Sequence, residues 1–207
     1  MMGFTSCIRL FLLGFLFFAA PVSSQGAVVL VLGDSISAGY GLDSPAQGWV
    51  GLLAEKIKAS GKPWDIANAS ISGEVTAGGL SRVDALLAKH KPGILILELG
   101  ANDGLRGLQP SLMQANLDEI INRAQKSGAK IVLLGMRIPP NYGKRFNDLF
   151  EAVFPVLAKQ HGAAYVPFLM EGVGGNAQLM QPDGLHPNAE AQPVLMRLVW
   201  EKLAPFL

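Results

Sequence analysis

The sequence predicts a single-domain α/β protein with a doubly wound parallel sheet of five strands and helices on both faces. Apolar segments of strand length alternate with amphipathic helical segments, which is typical of successive βα units. The segment ILILELG is hydrophobic nearly throughout, as expected for a parallel strand covered on both faces. The 207 residues, 50% of them hydrophobic, are enough for one ordinary core.

Five apolar segments are the predicted strands. Crossovers between parallel strands are right-handed, which favours the flavodoxin-like order 2-1-3-4-5 across the sheet. In such a sheet, ligands bind at the carboxyl ends of the strands, so the loops that follow the strands are the place to look for chemistry. The strand segments are AVVLVLG, WDIANAS, ILILELG, KIVLLGM and AAYVPF, beginning at residues 27, 64, 94, 130 and 163.

Helices are predicted after the strands, where apolar residues recur at positions i, i+3 and i+4. Gly128 and Gly162 each follow a helical segment in the position of a C-terminal cap. Four of these segments lie near residues 49–57, 80–87, 113–124 and 146–157. A fifth, at the end of the chain, contains LMRLVWEKL. The fourth of them is expected to bury one face, formed by Phe146, Leu149, Phe150, Val153 and Leu157.

Residues 1–26 have the pattern of a secretory signal peptide. Arg9 precedes the apolar stretch LFLLGFLFFAA, which is too short to span a bilayer, and Pro21 and the small residues VSSQGA follow. We expect cleavage between about residues 24 and 27, a mature domain of residues 27–207, and a periplasmic or secreted location. The alternative is an uncleaved membrane anchor.

Charge and cysteine content narrow the possible partners and cofactors. Arg9 is the only charged residue of the signal segment, so the rest of the chain has equal numbers of basic and acidic residues. We therefore expect no nucleic-acid partner, no stable membrane insertion after cleavage, and a monomer. The single cysteine, Cys7, lies in the signal, and no CxxC or paired-histidine spacing predicts a metal site. No cofactor is expected, since neither GxxxxGK[ST] nor GxGxxG occurs at a strand end.

Four loops at the predicted active edge of the sheet carry polar or flexible residues. The first strand ends in GDSISAGYG, the second in NASISGE and the third in LGANDG, while DGLHPN precedes the last helix. The first of these could be only a turn, because Gly, Asp and Ser are turn formers. The fold, however, brings all four loops to one edge.

The residue types in these loops are those that acyl transfer needs. Ser35 supplies a hydroxyl nucleophile, His186 an imidazole base, and Asp183 a carboxylate that can orient the imidazole. The backbone N–H groups of Ser35 and Gly73 and the side-chain amide of Asn102 are candidate donors to an oxyanion. By contrast, His90 and His161 close predicted helices and are interpreted as C-terminal cations.

Taken in order, GDSISAGYG, NASISGE, LGANDGLRG and DGLHPN resemble the four sequence blocks of the SGNH (GDSL-type) hydrolases. The similarity is greatest to the branch of bacterial periplasmic thioesterases, lysophospholipases and arylesterases, and it covers nearly the whole mature chain. It implies Ser35, Asp183 and His186 as catalytic residues and Gly73 and Asn102 as oxyanion donors. It also implies aryl esters, acyl thioesters and lysophospholipids as substrates. The GxSxG motif of α/β-hydrolases is absent.

Apolar residues near these loops predict an acyl groove. Leu105 and Leu108 lie in the loop after Asn102, and Pro140 and Tyr142 follow the fourth strand. We expect these four residues to bind the substrate, although the two leucines could instead pack their own loop. Two other functions stay open: a carbohydrate O-deacetylase, which would need a more polar pocket, and a non-catalytic periplasmic lipid-binding protein.

Overall fold

The computed structural model describes residues 27–207, and the expected signal peptide of residues 1–26 lies outside them. The described chain forms one parallel sheet with the strand order β2-β1-β3-β4-β5, which confirms the predicted doubly wound fold. The strands are β1 Ala27–Gly33, β2 Trp64–Asn68, β3 Ile94–Glu98, β4 Lys130–Leu134 and β5 Ala164–Val166.

Two groups of helices cover the sheet. Helix α5 packs against both α3 and α6 in one group, and α2 packs against α7 in the other. Within residues 27–207, none of the helices combines the length and the apolar character needed to cross a bilayer. The helices are α1 Ser35–Ala38, α2 Trp49–Ala59, α3 Thr76–His90, α4 Ala101–Leu105, α5 Pro110–Lys126, α6 Lys144–His161 and α7 Gln192–Leu203.

The register of the central strands decides where the loops end. Gly33 at the end of β1 pairs with Glu98 at the end of β3, so α1 and α4 begin next to each other. The loop after β2 is held along the same edge, because the N–H of Ile71 donates to the carbonyl of Gly33. Residues 29–32 and 94–97 are fully buried, so this edge rests on a rigid apolar core.

One residue of the predicted core face of α6 is exposed. Leu157 is fully buried, whereas Leu149 is 53% exposed to solvent, against the expectation that both face the core. The reason is geometric: Phe150, Val153 and Leu157 belong to the buried stripe of the helix, and Leu149 lies beside that stripe.

Replacing these two leucines therefore tests the packing of α6. We expect L157A to lower the free energy of unfolding by about 2–5 kcal/mol, because the truncation leaves a cavity in the core. L149A, the same change in the same helix, should alter it by less than about 0.5 kcal/mol. Urea unfolding followed by circular dichroism measures both, and equal losses would contradict the packing described here.

Candidate active site

Residues from the two ends of the described chain meet at the carboxyl edge of the sheet. The Oγ atom of Ser35 lies 2.9 Å from Nε2 of His186, although 151 residues separate them in sequence. Nδ1 of the same imidazole lies 2.6 Å from Oδ2 of Asp183. The structure thus places the hydroxyl, the imidazole and the carboxylate in one line, in the order that proton removal from the hydroxyl requires.

The turn between β1 and α1 presents Ser35. Asp34 is the N-cap of α1, and its Oδ1 accepts the backbone N–H of Ile36 at 3.0 Å. The helix is only four residues long and ends at Gly39 in the left-handed conformation. Ser35 is 9% exposed, so its hydroxyl lies at the floor of a depression and not on an open surface.

The loop before α7 presents His186, and its shape depends on Asp183. Oδ1 of Asp183 accepts the backbone N–H groups of Leu185 and His186, at 2.9 and 3.0 Å, while Oδ2 receives the ring. Tyr40 packs against the imidazole from the α1 side, with 4.6 Å between the ring centroids. The imidazole is therefore fixed on two sides.

Two glutamines tie this loop to the first half of the chain. Gln192 is buried, and its Oε1 accepts the N–H of Trp49 at 2.9 Å, while its Nε2 donates to the carbonyls of Pro187 and Asn188. Gln181 donates to the carbonyl of Tyr40 at 2.8 Å. These contacts join the starts of α2 and α7, so the separation between Ser35 and His186 is set by the fold.

The carboxyl of Asp183 is kept ionised. Burial alone would raise its pKa, but the hydrogen bonds from the N–H and ring of His186 and from the N–H of Leu185 lower the pKa of Asp183 from 3.8 to about 2. An ionised carboxylate at this position favours the tautomer of His186 whose Nε2 is free to accept the hydroxyl proton.

The candidate oxyanion donors lie beside Ser35. Gly73 has φ +78°, a conformation that favours glycine, and its carbonyl accepts from the guanidinium of Arg106 at 2.8 Å. Nδ2 of Asn102 donates one hydrogen to Oδ2 of Asp34 at 2.9 Å, which leaves the other hydrogen of the amide for a ligand. Across residues 27–207, no protein oxygen accepts from the N–H groups of Ser35 or Gly73.

Two further carboxyl groups lie directly below the site, and the sequence reasoning assigned neither a role. Burial raises the pKa of Asp34 to about 6 and holds the pKa of Glu98 well above its usual range, with the charge of Asp34 adding to the second effect. The signal for Glu98 was a lone acidic residue in the apolar strand ILILELG. A carboxyl in a buried strand is costly unless it has hydrogen-bond partners, so such a residue indicates polar contacts with another segment of the chain.

An apolar cavity of about 560 Å³ opens next to Ser35. A volume of this size suits a small organic ligand. Leu105 and Pro140, two of the four residues expected to bind the substrate, lie in its wall. Four further apolar side chains of the wall, which the sequence did not predict, come from loops after β4 and β5: Met136, Ile138, Phe168 and Met170.

Leu108 and Tyr142, the other two expected groove residues, lie outside the cavity wall. Tyr142 faces its own neighbours: its hydroxyl donates to the carbonyl of Leu105 at 2.7 Å, and its ring packs near Phe146. Leu108 follows the end of α4 and is partly exposed. Tyr142 thus supports the backbone of a wall residue instead of contacting the space where a ligand would lie.

The other histidines lie away from the site. His90 is in the last turn of α3, as the sequence predicted. His161 ends α6, but its ring is enclosed between helices, with Nε2 2.7 Å from Asp118 and Nδ1 3.2 Å from Gln125. Its ring therefore joins α5 to α6. In the part of the chain that the structure describes, no cluster of three or more His, Cys, Asp or Glu side chains could hold a metal ion.

The chain is similar to proteins of a known family over most of its length. Residues 31–193 match the model of the GDSL-like Lipase/Acylhydrolase family. The chain belongs to this family. It is an enzyme, a hydrolase with the doubly wound fold described above.

Named relatives span almost the whole chain. Esterase TesA of Pseudomonas aeruginosa is 50% identical, over 86% of this chain and 89% of its own. The protein named thioesterase 1/protease 1/lysophospholipase L1 of Escherichia coli K12 is 40% identical, over 100% of this chain and 98% of its own. The crystal structure of the psychrotrophic esterase EstA from Pseudoalteromonas sp., inhibited by monoethylphosphonate, has a TM-score of 0.82 and 40% identity, over 86% of this chain and 97% of its own.

The hydrogen bonds of Asp183 predict how the hydrolase responds to acid. Because the pKa of Asp183 is lowered in the folded state, its ionised form stabilises the protein above pH 4, and this contribution is lost as the pH falls through about 2. The difference in free energy of unfolding between wild type and D183N should therefore shrink between pH 4 and pH 2. Urea titrations measure it, with D65N at an exposed aspartate of β2 as control. A difference that stays constant in this range would contradict the assignment.

Proposed function

We propose that this hydrolase cleaves carboxylic ester and thioester bonds of acyl substrates through a covalent acyl-enzyme on Ser35. The observation that supports it is the line of hydrogen bonds from Ser35 through His186 to Asp183 beside an apolar cavity. A serine hydroxyl needs a positioned base to become a nucleophile, and this arrangement supplies one at hydrogen-bond distance.

The first half of the reaction forms the acyl-enzyme. Oγ of Ser35 attacks the carbonyl carbon while Nε2 of His186 takes the hydroxyl proton, and the electrons of the C=O bond move onto its oxygen. Asp183 remains ionised and stabilises the imidazolium that forms. As the tetrahedral intermediate collapses, His186 returns the proton to the departing alcohol or thiol, and the acyl group stays on Ser35.

The second half repeats these steps with water. His186 removes a proton from a water molecule as it attacks the acyl-enzyme, and it then gives that proton to Oγ of Ser35 when the carboxylic acid leaves. In both halves the negative oxygen would accept from the N–H groups of Ser35 and Gly73 and from the amide of Asn102. Donors that are already oriented need no rearrangement when the charge develops.

The cavity favours acyl groups over sugar esters. Its wall next to Ser35 is formed by aliphatic, methionine and phenylalanine side chains, with few hydrogen-bonding groups beyond the reacting ones. A pocket for a sugar ring would have to satisfy several hydroxyl groups. Aryl esters, acyl thioesters and lysophospholipids present the apolar groups that this wall can contact. A carbohydrate O-deacetylase is therefore the weaker proposal, and a lipid-binding protein without activity would have no use for the imidazole at Ser35.

We also propose that residues 1–26 direct the enzyme to the periplasm or the exterior and are then removed. The pattern of Arg9, an apolar stretch and small residues supports this. The domain that follows depends on its core alone, since the only cysteine is in the leader.

Substitution of Ser35 and Asn102 tests the proposed chemistry. S35A should lose measurable hydrolysis of p-nitrophenyl butyrate, because the nucleophile is gone. N102A should lower kcat by about 10²–10³, the usual cost of removing one oxyanion donor, with a smaller effect on KM. Steady-state kinetics of the purified mature protein measure both. Activity near wild type in S35A would disprove the proposed nucleophile.

A chain-length series tests the role of the cavity. From acetyl to octanoyl p-nitrophenyl esters, kcat/KM should rise by up to about fourfold per CH₂, which corresponds to ~0.8 kcal/mol for each buried methylene. L105A should flatten the series, because it removes part of the wall. L112A is the matched control at a leucine of α5 that is 55% exposed and outside the cavity. A flat series in the wild type would show that the acyl chain does not enter the cavity.

A further inference from the structure

Glu98 lies beneath the turn that carries Ser35. It is the last residue of β3, its side chain is fully buried, and its Oε2 accepts the backbone N–H of Asp34 at 3.1 Å and the hydroxyl of Ser37 at 2.6 Å. The fit is close enough to require glycine at position 33, where a Cβ atom would lie 2.7 Å from Oε2 of Glu98 and 2.6 Å from Oγ of Ser37. The carboxyl thus holds the turn from two sides.

Asp34 continues this chain of contacts into the proposed oxyanion site. Its Oδ1 accepts the N–H of Ile36, and its Oδ2 accepts Nδ2 of Asn102 at 2.9 Å. Asn102 has no comparable contact with another side chain among the hydrogen bonds of residues 27–207, so Asp34 decides how its amide is turned. The direction of that amide determines whether its second hydrogen points to the oxyanion.

We propose that Glu98 is a positioning residue for oxyanion stabilisation: it fixes Asp34, and Asp34 in turn orients the amide of Asn102. This inference rests on the proposed function. Glu98 would touch neither the substrate nor the reacting atoms, and its contribution would pass entirely through Asn102.

The contacts of Glu98 explain which substitutions should be tolerated. Its Oε2 is the common acceptor of the Asp34 N–H and the Ser37 hydroxyl. Burial and the neighbouring Asp34 carboxyl hold the pKa of Glu98 well above its usual range, in keeping with its enclosed position. The oxygen of a glutamine amide can accept the same two hydrogen bonds, whereas an apolar residue would leave the Asp34 N–H and the Ser37 hydroxyl without their acceptor.

Three variants, two at position 98 and one at position 102, distinguish a role in orienting Asn102 from a role in stabilising the fold. E98M keeps the length of the side chain and removes its polar atoms, E98Q keeps the hydrogen bonds without ionisation, and N102A removes the group through which Glu98 acts. We expect E98M to lower kcat by about 10- to 100-fold with KM changed by less than about twofold, within the limit set by the loss of one oxyanion donor. E98Q should keep kcat within about threefold of the wild type.

The double variant E98M/N102A gives the decisive comparison. If Glu98 acts through Asn102, adding E98M to N102A lowers kcat by less than about threefold, far less than it does in the wild type, because coupled residues are not additive. An equal loss in both backgrounds would overturn the proposal, as would a kcat of E98M within twofold of the wild type or a loss of activity in E98Q. An inactive wild type or an active S35A would instead refute the proposed function.

D34N and the stability of E98Q keep the proposal testable if E98M fails to fold. D34N is nearly isosteric and replaces the acceptor of Asn102 with a donor, so its loss of kcat should also disappear in the N102A background; an additive loss would overturn the proposal. Because the pKa of Glu98 is raised in the folded state, its protonation stabilises wild type below its ordinary value of 4.5, and the benefit is lost as the pH rises. The Tm of E98Q should therefore gain on that of the wild type above pH 4.5, and a constant difference would overturn the enclosed position of Glu98 on which the proposal rests.

Discussion

The hydrogen bond between Ser35 and His186 is the contact around which the candidate site is arranged. It joins the first strand to the loop before the last helix at 2.9 Å, so almost the whole chain must fold before it can form. Strand β1, whose residues 29–32 are fully buried, fixes one partner. The packing of α7 on α2, with Gln192 bonded to Trp49, fixes the other. The doubly wound sheet brings the segments that carry Ser35 and His186 to one edge and leaves them little freedom to move.

The same fold gives three carboxyl groups different properties through their surroundings. Asp183 accepts hydrogen bonds from its own loop and stays ionised, because those bonds outweigh partial burial. Asp34 and Glu98 lie under the serine turn, where burial dominates and raises both pKa values. An ionised carboxylate suits a partner of the imidazole, whereas Glu98 provides a buried acceptor for two groups of the turn. Residue type alone decides neither role.

The strand order and the meeting of Ser35, Asn102 and His186 at one edge could be predicted from the sequence, because both follow from local signals. The segment of β1 is apolar throughout and that of β3 nearly so, and Ser35, Asn102 and His186 each follow a predicted strand or stand in a predicted loop. Side-chain direction is a different matter. Leu149 and Tyr142 have the expected composition for a core and for a groove, yet Leu149 faces solvent and Tyr142 contacts the backbone of Leu105. Those outcomes depend on the rotation of α6 and on the path of a loop, which no short pattern encodes.

Glu98 is different, because its acidic side chain stands out in the sequence but its contacts depend on residues of another strand. A single acidic residue in ILILELG carries little information until the register places it beside Gly33 and under Asp34. The same holds for the cavity wall, since Met136 and Phe168 come from loops after two different strands. Contacts between residues that are distant in the sequence are therefore harder to predict than local helices and strands are.

Covalent labelling with a fluorophosphonate probe measures whether His186 activates Ser35. We expect the wild type to form one adduct, mass spectrometry of the digest to locate it on Ser35, and H186A to slow its formation by several orders of magnitude, because the hydroxyl has then lost its base. Hydrolysis of esters by a protein whose Ser35 stays unlabelled would disprove the proposed mechanism. So would labelling of Ser35 at the same rate with and without the imidazole.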